Sequence, residues 1–153
     1  MLRLLICACA LAAGAGFSVA ATPHDKAAPP GAAPQPIPAR MLGPAVPVPI
    51  SPALLRVRNG WLVSDGRTLV AVYAGAAGND SALGRLVIVR QDLTAGTQAV
   101  RTLDTGPTGA LAIAAAPLGD SVETSAQTGS IRLRTAGGRA LRLDLGRGTV
   151  ENG

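Results

Sequence analysis

From residue 54 onward the chain alternates short apolar runs with turn dipeptides, and that texture predicts strands. Residues 54–58 run into Asn59-Gly60, and residues 61–64 run into Asp65-Gly66. Both dipeptides suit two-residue hairpins, whose central positions favour positive φ. Further apolar runs occupy residues 68–74, 85–91, 97–104, 110–115, 122–127, 130–135 and 140–145. Gly106-Pro107, Gly119-Asp120, Thr128-Gly129 and Gly137-Gly138 separate the later ones. Helical periodicity is weak throughout. The predicted fold is therefore all-β: a single-domain antiparallel sandwich or barrel of about nine short strands.

Alternation assigns faces within those strands. With Asn59-Gly60 as a turn, Leu55, Val57, Leu62, Leu69, Ala71 and Tyr73 share one face. Trp61, Val63, Val70 and Val72 share the other with Arg56 and Arg58. Residues 69–73 and 86–89 are apolar on both sides and read as central strands covered on two faces. Ile131, Leu133, Leu141, Leu143 and Leu145 alternate with Arg132, Arg134, Arg142 and Asp144, which predicts strands with one wet face.

The pattern differs ahead of residue 54. Arg3, the uncharged apolar residues 4–17 and the small-x-small sequence Ser18-Val19-Ala20-Ala21 predict a cleavable export signal over residues 1–21. An uncleaved anchor is the competing reading, since the apolar stretch is just long enough to span a bilayer. Cleavage leaves no integral span and removes Cys7 and Cys9, the two cysteines of the chain. The exported form then has no disulfide, thiolate metal site or cysteine nucleophile. Residues 22–53 hold ten of the twelve prolines, with alanine and glycine between them. Proline fixes φ and removes a donor, so this stretch is expected to be an extended, largely disordered tether. Residues 44–50 are its most apolar part and the part best able to pack on the domain that begins at residue 54.

Charge and chemistry narrow the function. His24 is the only histidine and Lys26 the only lysine, and both lie in the tether. Histidine-based triads and zinc sites, and lysine nucleophiles, are accordingly disfavoured. Asp65, Asp92 and Asp120 stand where turns need a capping carboxylate. Asn79, Asp80 and Ser81 fall in the longest predicted connection, residues 75–84, without the acids or spacing of a calcium loop. No cofactor and no metal is expected. The net charge is +5, and every basic residue except Lys26 is arginine. Arg56, Arg58, Arg132, Arg134 and Arg142 occupy outward positions; neighbouring first and last strands would gather them around Trp61 into an anion-gripping patch. Nucleic acid is disfavoured by export and by the shortage of stacking aromatics.

These features predict an exported, secreted or envelope-located, non-enzymatic β module. Its expected partner is an anionic envelope polymer or another exported protein. Two alternatives come from other classes. One is a hydrolase using only carboxylates, with Asp80, Asp120 and Glu123 as candidates. The other is a protein-partner module, such as an inhibitor or assembly subunit, that presents the 75–84 loop or a free strand edge.

Overall fold

The computed structural model describes residues 34–44, 46–118 and 129–153. The predicted export signal, His24, Lys26, Asp120, Glu123 and the strand predicted at 122–127 lie outside those residues. Among the described residues there are nine strands and no helix. They are β1 (Ile37–Leu42), β2 (Leu55–Ser64), β3 (Thr68–Ala77), β4 (Asp80–Asp92), β5 (Thr97–Asp104), β6 (Ala112–Ala115), β7 (Ser130–Arg134), β8 (Ala140–Asp144) and β9 (Thr149–Asn152). They form two antiparallel meanders, β1-β2-β3-β4-β5 and β6-β7-β8-β9.

Period-two alternation decides what each sheet buries. One face of the first sheet contributes Trp61, Val63, Val70, Val72, Ala74, Leu86 and Ile88 to an apolar cluster. Leu111, Ile113, Ile131, Leu133, Leu141, Leu143 and Leu145 join the same cluster from the second sheet and its flanks. Each fully buried Leu or Val contributes about 1.5–3 kcal/mol, so side-chain burial is what holds the sheets together. The other face of the first sheet carries Leu55, Ala71, Tyr73, Val87 and Val89, with Leu42, Val48 and Ile50 packed on it. The first sheet is thus covered on both sides, as its doubly apolar central strands predicted. The second has one buried and one wet face, as its Arg/Leu alternation predicted.

Three expectations about elements are corrected. Asn59-Gly60 is not a turn: β2 runs through it with a bulge between Val57 and Asn59. Gly60 does not have positive φ. Glycine is required there by close approach instead, since a Cβ would meet the Tyr73 ring at 2.9 Å and the Val72 carbonyl at 3.0 Å. Asp65-Gly66 is a turn, with Gly66 at φ +87°. The Asp65 carboxylate accepts from the backbone N–H groups of Arg67 and Thr68 at 2.7 and 2.6 Å.

The long 75–84 connection is also absent. β3 and β4 continue through it to Ala77 and Asp80, leaving a two-residue turn followed by a bulge. That bulge is fixed by backbone bonds from Gly109 N–H to the Ala82 carbonyl and from Gly84 N–H to the Gly106 carbonyl.

Finally, part of the stretch assigned to the tether, Ile37–Leu42, is a β-strand. β1 pairs with β2 as an edge strand, a position that tolerates Pro38. Val48 and Ile50 then cover the sheet, where an extended, apolar-studded segment fits well.

Candidate functional site

The outer face of the second sheet is where the sequence-predicted arginines meet. Arg132 and Arg134 on β7, and Arg142 on β8, point away from the core because Ile131, Leu133, Leu141 and Leu143 take the inward positions. Arg132 stands directly opposite Arg142 across the β7–β8 ladder. Arg134 stands opposite Ala140 on one side and Ala112 on the other. Across β8–β9, Arg142 is opposite Glu151. All three arginines are exposed, and among the described residues none of their guanidinium groups makes an ion pair or hydrogen bond. The small residues of β6 leave room beside them. An open hollow of about 520 Å³ is lined by Ala115, Ala116, Pro117, Ser130, Arg132 and Arg142. A second, of about 300 Å³, lies between Arg132 and Arg134 over Ala114, Ala115 and Ala140.

Among the described residues Glu151, opposite Arg142, makes no ion pair with it, and Asp144 is committed to a turn. Asp144 accepts from the Arg147 backbone N–H at 2.9 Å. That bond, with a weaker contribution from the Arg142 charge, holds its carboxyl below the usual range. The ion pair of the described residues joins Arg85 on β4 to Asp104 on β5 at 2.6 and 2.9 Å, in the first sheet. Two guanidinium groups directly opposite one another cost stability in a sheet. An anion lying between them removes that cost, and the planar guanidinium fork accepts phosphate or carboxylate with two parallel bonds.

Other predicted site residues lie elsewhere. Arg56 and Arg58 are exposed on β2, which pairs with β1 and β3, so the first and last predicted strands are not neighbours and the five arginines form no single patch. Trp61 is fully buried in the shared cluster. Its indole N–H donates to the Pro117 carbonyl at 2.9 Å. It is core, and cannot be the exposed centre of a basic surface. Asn79 lies in the β3–β4 turn, with Asp80 and Ser81 opening β4; all three are exposed. The Asp80 carboxylate accepts from the Ala82 backbone N–H at 2.9 Å, a turn-fixing role. Among the described residues no three His, Cys, Asp or Glu side chains come close enough to hold a metal. Of the three carboxylates considered for hydrolysis, Asp80 alone is described, and its carboxylate accepts from the Ala82 N–H.

Sequence reasoning missed how deeply Asn59 is used. Its side-chain amide donates to the Ile113 carbonyl at 2.9 Å and accepts from the Ile113 N–H at 2.8 Å. It thereby acts as one peptide unit of a strand at the β6 edge. Its position beside glycine disguised it as a turn residue.

The fold defines a class, an antiparallel all-β protein of two meandering sheets with an arginine-bearing outer face. No protein-family model, curated protein or solved structure matches the chain.

Proposed function

We propose that this chain is an exported, non-enzymatic β module that binds an anionic polymer of the cell envelope along Arg132, Arg134 and Arg142. The observation that carries the reading is the Arg132–Arg142 juxtaposition: two like charges share one rung of an exposed ladder and, among the described residues, no carboxylate is bonded to either. Three guanidinium groups on an open face suit an extended chain of repeating phosphate or carboxylate groups better than a small enclosed ligand. The signal-like residues 1–21 and the proline-rich residues that follow support delivery to the envelope, where such polymers occur.

The test is titration of the full chain with inorganic polyphosphate and, separately, with polygalacturonate, at several salt concentrations. Binding should weaken steeply with salt, because cationic side chains displace condensed counterions from the polymer. The triple variant Arg132→Gln, Arg134→Gln, Arg142→Gln should lose about tenfold or more in affinity, whereas Arg56→Gln with Arg58→Gln should change it little. The two polymers report whether phosphate or carboxylate is preferred. Equal binding by the triple variant and the parent chain would remove the arginine face as the site.

A further inference from the structure

A sheet edge is a row of unpaired backbone groups, and proteins usually blunt it with proline, lysine, a bulge, short length or a cover. Of the four sheet edges among the described residues, three are treated that way. β1 carries Pro38 and a register break between Ile37 and Arg40. β6 has a break between Ile113 and Ala115 and is capped by Asn59. β9 is only four residues long. β5 lacks proline, lysine, a register break and short length, and its one cation, Arg101, lies on the face turned to the shared core. It spans eight residues, from Thr97 to Asp104, without proline or lysine. Its pairing with β4 is unbroken along the whole length. Every residue except Leu103 is exposed, Val100 to 53 %. Among the described residues its outer edge has no backbone partner; the Arg101 guanidinium lies against Gly148 and donates to the Arg147 carbonyl at 3.3 Å.

We propose that β5 pairs with β5 of a second copy of this chain, antiparallel about a two-fold axis through Val100. The register follows from the pleat and the charges. Directly opposed residues of an antiparallel pair lie on the same face, so the axis must pass through a residue and stand perpendicular to the sheet. Val100 lies opposite Val89, on the face packed by Val48 and Ile50, while Arg101 lies opposite Ile88, on the face turned to the shared core. Axes at Val100 and Arg101 give the longest overlap of β5 with itself. An axis at Arg101 sets two arginines directly opposite, which opposes pairing. An axis at Val100 sets the two exposed valines together, Gln98 opposite Thr102 of the second copy, and Arg101 opposite its Ala99. The apolar row Val89–Val100 then continues across the interface, and the Arg85–Asp104 ion pair lies beyond the paired span. Pairing through one strand makes a small interface, so the dimer should be reversible, with a Kd on the order of micromolar. It rests on β5 alone and not on the anion-binding reading, and its test contains no anionic polymer.

The experiment uses the full chain with Cys7→Ala and Cys9→Ala, so that an introduced cysteine is the only thiol. Under mild oxidation Val100→Cys should form a disulfide-linked dimer at least about tenfold faster than Val46→Cys, an exposed control away from β5, because residues paired across the axis lie within disulfide reach. Gln98→Cys and Thr102→Cys should each cross-link slowly alone and rapidly when mixed. In sedimentation equilibrium, Val100→Lys should raise the dimer Kd at least about tenfold while the buried emission of Trp61 stays unchanged, showing an intact fold. A parent chain that remains monomeric up to about 1 mM, far above the Kd range of so small an interface, overturns the proposal. So does a Val100→Lys variant that dimerises as well as the parent, or a Gln98→Cys variant that cross-links with itself as fast as Val100→Cys.

Discussion

At Trp61 the indole is buried in the largest apolar cluster, and its N–H reaches a carbonyl at 2.9 Å on Pro117, in the segment leaving β6. A buried indole that kept its donor unpaired would cost about 1–3 kcal/mol, so this bond makes a core tryptophan tolerable. Trp61→Ala should destabilise the protein by about 3–5 kcal/mol, enough to threaten folding, and Trp61→Phe by much less. Emission in the native state should be blue-shifted and resist iodide; ready quenching would place the indole at the surface. Asn59 presents a sharper case. Replacing its amide by a carboxylate turns a donor facing the Ile113 carbonyl into a second acceptor. Asn59→Asp should therefore cost about 2–3 kcal/mol at pH 7. Relative to the parent chain the loss should shrink in acid, because a protonated carboxyl can donate to that carbonyl again. Urea melts at pH 7 and pH 4 measure both, and an identical difference at the two values would disprove the bonding scheme.

The hairpin elements differ in what fixes them. β2–β3 is set locally by the Asp65 carboxylate, whose acceptance from Thr68 and Arg67 N–H groups holds it below the usual carboxylate range. β4–β5 is reinforced by a cross-strand ion pair in which the Arg85 side chain holds the Asp104 carboxyl below its ordinary value. A carboxyl depressed in the folded state contributes stability above its unfolded pKa, near 3.8, and loses it as pH falls through the folded value. Asp104→Asn should thus lower the melting temperature modestly at pH 7, in keeping with about 1 kcal/mol or less for an exposed pair. Its deficit should disappear in strong acid. A deficit that persisted at pH 2 would assign the effect to packing. Legibility followed the same division. Strand β5 was predicted at its observed bounds, because alternation and flanking turns act within the strand itself. Asn59-Gly60 and residues 75–84 were misread, because strand pairing and the bonds from Gly109 and Ile113 override their local turn preference. β9 was missed because Thr149–Asn152 is short and mostly polar, and only its pairing with β8 makes it a strand.

For the molecule as a whole, the domain includes more chain than composition suggested. Without β1, Val48 and Ile50, the face bearing Leu55, Ala71, Tyr73, Val87 and Val89 would open to water. A chain beginning at Leu54 should therefore lose about 3–5 kcal/mol and bind a hydrophobic dye, whereas one beginning at Pro34 should melt like the full chain. Equal melting of the two would show that the proline-rich residues contribute no cover. The sequence by itself determined the all-β class, the doubly buried strands of the first sheet, and the inward leucines and outward arginines of the second. Each of these follows from a side-chain alternation that acts within a single strand. Tertiary structure alone decided which arginines share a surface, that Trp61 is core, and that a proline-bearing segment is an edge strand. Those outcomes depend on which strands become neighbours, and neighbour choice is settled by closing one apolar core between two sheets, a condition that no local stretch of residues contains.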